Sequence, residues 1–191
     1  QHNQDVQEHA RNFAERCGLS RARVEDLECS GLLHDLGKAD PRFQAWLHYG
    51  DPLGPDPDEQ HQLAKSSRPL PRTARSESGL PEHWRHEALS VRHALGHAAF
   101  ARAQDPELVL WLVGVHHGYG RPLIPHFDPT EHTPDVGPQS LAFDWHGHDW
   151  PSLFVRLKAR YGVWELARME AILRLADHRA SAMREPKDGS Q

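Results

Sequence analysis

The stretch Leu32-Leu33-His34-Asp35-Leu36-Gly37-Lys38-Ala39-Asp40-Pro41-Arg42-Phe43-Gln44 sets a histidine and an aspartate side by side just ahead of a glycine. Successive residues of a helix point about 100° apart, so such a pair cannot share one face in mid-helix. Where the backbone unwinds, both can turn toward one place. Gly37 reads as the stop of a helix running from about Ser20, whose hydroxyl is placed to cap it, to Leu36. The same logic recurs at His116-His117-Gly118, closing a helix that opens at Pro106. Helix C-termini carry partial negative charge and favour a cation nearby.

Three further helices follow from apolar spacing. One runs from about Asp5 to Cys17 and stops at Gly18. Another covers about Pro81 to Ala103, with Trp84, Ala88, Val91, Leu95 and Ala98 at helical intervals. The last, Tyr161 to about Met183, carries Leu166, Met169, Leu173, Ala176 and Ala180 on one stripe. A short helix fits Asp40 to Leu47, and no window alternates as a strand does. The expected fold is all-α, a helical bundle. Two long proline-rich segments, about 50–80 and 118–152, read as loop insertions in a single domain of residues 1–184, followed by a polar tail, 185–191. With Gln1 in place of Met, the chain reads as a piece of something longer.

Asp177 lies on or beside the stripe of the last helix. A carboxylate there is costly unless something positive meets it, either an arginine or a metal ion. Composition leans toward the metal. The 191 residues include sixteen histidines, the commonest metal ligand and the natural proton-transfer group near neutral pH. A net charge of −5 argues against a duplex-DNA binder coated in basic residues. It leaves room for a nuclease, because bound cations supply the charge that phosphate needs. Two cysteines, Cys17 and Cys29, make no disulfide framework, and no apolar run approaches a membrane span, so the expected setting is cytoplasmic.

The ordered set of His9, His34-Asp35 with Gly37-Lys38, Arg85-His86-Glu87, His116-His117 and Ala176-Asp177 resembles the HD superfamily of phosphohydrolases. More narrowly, residues 5–184 are similar to the HD nuclease domain of the type I CRISPR helicase–nuclease. The extended 32–44 string, with Phe43-Gln44, carries most of that likeness. The resemblance implies a metal-dependent nuclease cutting single-stranded DNA in partnership with a helicase and a CRISPR RNA-guided effector complex. It also implies roles. His9, His34, Asp35 and Asp177 would hold a first metal ion. Asp35 would bridge to a second, held also by His86, His116 and His117. Asp35 and Lys38 would serve catalysis, Lys38 by contacting the scissile phosphate.

The implied chemistry is coherent. Metal coordination lowers the pKa of water from about 15.7 to about 7, as hydrolysis at neutral pH requires. Five imidazoles with two carboxylates suit two divalent transition-metal ions (iron, manganese, nickel or cobalt) better than magnesium. The basic run of Lys65, Arg68, Arg72 and Arg75, free of acids from 60 to 76, is either a solvated loop or a backbone contact for DNA. Tyr119, Trp145 and Trp150 anchor their loop to the core or stack on unpaired bases. His93 and His97 read as a polar helix face, and His146 and His148 as solvated loop. Two other functions fit the same ligands: hydrolysis of small nucleotides, and a non-catalytic module that keeps the fold for binding a partner.

Overall fold

The computed structural model describes residues 1–49, 63, 65–66, 69–71, 73–81, 84–121 and 143–184. Seven helices appear among them: α1 His2–Arg16, α2 Arg21–Leu33, α3 Pro41–His48, a single turn α4 Ala74–Glu77, α5 His86–Leu95, α6 Pro106–Val115 and α7 Trp150–Arg184. Two 3-10 turns, Leu36–Ala39 and Phe100–Arg102, join them, and no strand occurs among the described residues. The fold is all-α, as the sequence led one to expect.

α6 is the axis of the bundle. Every residue from Leu108 to Val115 is buried, so this helix is apolar all round and cannot lie at the surface. It packs against α2, α5 and α7, while α1 covers α2 and α7. Asp105 caps α6, its side chain accepting from the Leu108 N–H at 3.3 Å. Asp26 of α2 pins the approach to that cap, accepting from the N–H groups of Gln104 at 2.7 Å and Asp105 at 3.0 Å. The stripe of α7 lies in the core as expected, with Leu166, Met169, Leu173, Ala176 and Ala180 all buried. That helix breaks at Gly162, where φ is 74°.

The apolar interior falls into two clusters. The main core joins α1, α2, α6 and α7. A smaller one groups Phe43, Leu47, Leu80, Trp84 and Leu89, with Trp46 and Leu63 packed on it. Gln44 ties the second to the polypeptide around Lys38: its amide donates to the Lys38 and Leu63 carbonyls and accepts from the Leu63 N–H.

Several expected boundaries move. α2 ends at Leu33 with His34 as its C-cap, three residues ahead of Gly37. Ser20 occupies the N-cap position, but its hydroxyl makes no capping bond. Gly37 serves another purpose: a Cβ there would stand 2.1 Å from the His86 carbonyl oxygen and 2.8 Å from the Ser90 N. Only glycine lets the Leu36–Ala39 turn lie against the start of α5, where its N–H donates to the Ser90 hydroxyl. The helix expected over 81–103 is shorter. Arg85 is extended (φ −136°, ψ 129°), so helix begins at His86, and it ends at the Gly96 C-cap. Leu95, placed on the apolar stripe by spacing, is consequently exposed. Among the described residues no helix is long and apolar enough to cross a membrane.

Candidate metal centre

His34 and Asp35 stand where α2 gives way to the 3-10 turn, and the unwinding brings both inward. Asp35 takes φ −108° and ψ 12°, off the helical path, and is 6% exposed. The His34 ring donates from Nδ1 to the Gly31 carbonyl, three residues back in its own helix, at 2.8 Å. His116, at the end of α6, repeats this with Val113 at 2.7 Å. A carbonyl only accepts, so each bond fixes Nδ1 as the donor and leaves Nε2 facing the centre. Gly118, at φ 84°, provides the left-handed turn that stops the chain behind His116 and His117. His86 opens α5, held there by the same contact that requires Gly37.

Asp35 is the hub. Its Oδ1 lies 3.2 Å from His86 Nε2 and 3.6 Å from His116 Nε2. Its Oδ2 lies 3.3 Å from His34 Nε2, 3.7 Å from His2 Nε2 and 2.6 Å from the Lys38 ammonium. Asp177, delivered by the buried stripe of α7, closes the other side, 3.1 Å from His2 Nε2 and 3.7 Å from His34 Nε2. Among the described residues Asp177 meets a pair of imidazoles and no arginine. Two groups of ligand-type atoms result, each within 4.8 Å: His2, His34, Asp35 and Asp177, and Asp35, His86, His116 and His117. Asp35 belongs to both.

The structure brings together His34, Asp35, His86, His116, His117 and Asp177, and places the seventh expected residue, His9, outside them. His9 stands apart, half-buried and stacked on Phe13 at 5.9 Å between ring centroids. His2 takes the place expected for it. The two are seven residues apart, nearly two turns, so they share a helix face but sit about 10 Å apart along it. A signal for His2 was in the sequence: it precedes Val6, Ala10 and Ala14 at intervals of four, and all four are buried. Lys38 lies in the site and Lys65 nearby on a groove wall, whereas Arg68 and Arg72 lie outside the described residues. Trp150 is buried and Trp145 packs on Phe100, so both anchor their segment, and Tyr119 is exposed beneath the Arg85 guanidinium. His93 is exposed, and His97 accepts from the Ala99 N–H.

Charge is unevenly distributed across the site. Burial disfavours the His34 cation, but Asp35 and Asp177 outweigh it and raise its pKa to about 9. Both carboxyls are held well below their usual range: burial works against them, and the surrounding imidazoles overcome it. His86 goes the other way, lowered by burial that Asp35 only partly offsets. His117 falls to about 3 through burial and the neighbouring His116 and His86 rings. Glu87, missed as a participant by the sequence reading, faces His86 Nδ1 at 3.5 Å and is gripped by Arg85; it steadies the ring from behind.

Do these residues fit a metal? His34 Nε2, His86 Nε2, His116 Nε2 and Asp35 Oδ1 are all buried with no hydrogen-bond partner among the described residues. Buried polar atoms are seldom left so, and four gathered around the two groups that share Asp35 fit bound cations. The chain also matches the family model described as Cas3, HD domain, over residues 2–186. It belongs to the Cas3 HD-domain family. Neither a curated protein nor a solved structure matches it. Membership in the Cas3 HD family carries a coarse function, metal-dependent hydrolysis of nucleic acid in CRISPR systems, and association with a helicase and an effector complex.

Proposed function

We propose that this domain cuts phosphodiester bonds of single-stranded DNA in type I CRISPR interference, on a strand delivered by its helicase partner in the cytoplasm. The convergence of two ligand groups on the shared carboxylate of Asp35 carries the reading. His2, His34, Asp35 and Asp177 would hold one divalent transition-metal ion, and Asp35, His86, His116 and His117 the other, with iron, manganese, nickel or cobalt preferred by imidazole-rich donors. Such ions, when bound, activate water and neutralise phosphate charge.

The chain's own groups do the rest. Asp35 ties the two halves together, so neither can shift without the other. The carbonyl bonds of His34 and His116 hold both rings with Nε2 directed at the centre before any ligand arrives. Lys38, half-buried beside Asp35, is the cation positioned to meet a phosphate oxygen. Because the helicase brings the strand, the domain needs no broad basic surface, consistent with its charge of −5. The test is metal analysis by mass spectrometry on protein purified without chelator, paired with cleavage of a single-stranded oligonucleotide in manganese, cobalt or nickel. Wild type should cut, and Asp35→Ala should fall by at least about 100-fold with loss of metal. Equal behaviour of the two proteins, or hydrolysis of mononucleotides alone, overturns the reading.

A further inference from the structure

Beside His86 and His117 lies an open groove of about 600 Å³, lined by Trp46, Leu47, Leu70, Arg75 and Trp84 among others. One wall is aromatic. Trp46 packs edge-on against Phe43 at 5.3 Å, and Phe43 lies 5.5 Å from Trp84. The rim is cationic: Lys38, Arg75 and Arg85 line it with one carboxylate, Glu87, which Arg85 already engages. Arg75 is half-buried, lies over the Trp46 ring at 5.3 Å and donates to the Trp84 carbonyl. No carboxylate among the described residues pairs with it. Burial and the adjacent Arg85 charge push its pKa below the ordinary arginine value. A partly desolvated Arg75 within the field of Arg85, with no counter-ion among the described residues, is unfavourable until an anion joins it.

Resting on the nuclease reading above, we infer that this groove is a nucleotide subsite of the DNA strand. A base packs on the Trp46–Arg75 platform, while a phosphate next to the scissile one sits between Arg75 and Arg85. Three features favour a strand over an acidic peptide. His86 and His117 line the groove as well as the metal centre, so a polymer held at that centre lies against it. The ring and the planar cation both offer faces for stacking, which any base satisfies. The guanidinium fork matches phosphate geometry. Binding at this subsite needs no metal, since none of its contacts runs through one.

The test is fluorescence anisotropy of a labelled single-stranded oligothymidylate with the whole chain in EDTA. Wild type should bind, Trp46→Ala and Arg75→Gln should bind roughly tenfold more weakly, and Trp46→Phe should stay within about threefold of wild type. With metal restored, KM for the strand should rise by the same factor while kcat and metal content hold. Because the binding arm excludes metal, a protein that never cuts DNA yet shows this ranking refutes only the nuclease reading. Equal strand affinity in both folded variants overturns the subsite, as does thymidine monophosphate competing as tightly as the oligomer. Circular dichroism checks folding; if Arg75→Gln loses helix, Trp46→Ala against Trp46→Phe decides.

Discussion

His2 and His9 differ by nearly two whole turns, and helical phase alone cannot choose between them. Packing chooses: His2 is buried 3.1 Å from Asp177, and His9 rests on Phe13. His2→Ala should therefore reduce metal content and lower strand cleavage at least about tenfold, while His9→Ala stays within twofold; mass spectrometry and a gel assay read both, and the reverse order returns the role to His9. The charges predict a second asymmetry. Below pH 9 the metal-free His34 ring holds an extra proton, which must leave before the ring can ligate. Affinity of the group containing His34 should then weaken by up to about tenfold per unit as pH falls below 9. His86 and His117 are lowered below ordinary histidine, so they are already neutral at pH 7 and impose no such loss there. Manganese titration at pH 8.5 and 6.5 should show one site class that weakens strongly and one that changes much less. Parallel slopes would remove this explanation.

At the scale of elements, the meeting of the Leu36–Ala39 turn with α5 governs the site more than any single cap. Gly37→Ala would drive a methyl into the His86 carbonyl, so it should destabilise the fold by about 1–3 kcal/mol and lower metal content by displacing His86. Urea unfolding measures the first and mass spectrometry the second; a fully stable, fully loaded variant contradicts the packing. This contact marks the limit of what the sequence disclosed. Helix content, the α7 stripe and the inward turn of each ligand pair were legible, because they depend on periodicity and local backbone chemistry. Gly37 looked like a helix stop, yet its demand for space comes from residues 49 or more positions away. His86 was placed in mid-helix because apolar spacing runs past Pro81, whereas the extended Arg85 makes it the first helical residue. His2 was passed over because one polar residue ahead of an apolar stripe reveals its neighbour only after α7 has folded onto α1.

For the whole molecule, the metal centre lies where the ends of α2 and α6, the starts of α1 and α5 and the C-terminal part of α7 meet, so cations there would bridge parts of the chain distant in sequence. Binding to the native state alone stabilises it by about 2.7 kcal/mol at a hundredfold excess over Kd, which in a chain of this size is roughly 5–11 °C in Tm. Chelation should lower Tm by that much in wild type and change Asp35→Ala little, as calorimetry would show; equal drops in both would mean that chelation acts elsewhere. The burial of α6 from Leu108 to Val115 has a consequence for anyone transplanting this centre into another scaffold. The rod from Pro106 to Val115 tolerates no insertion. A single added residue would advance its terminal histidines by about 1.5 Å and swing them through about 100°, out of register with Asp35.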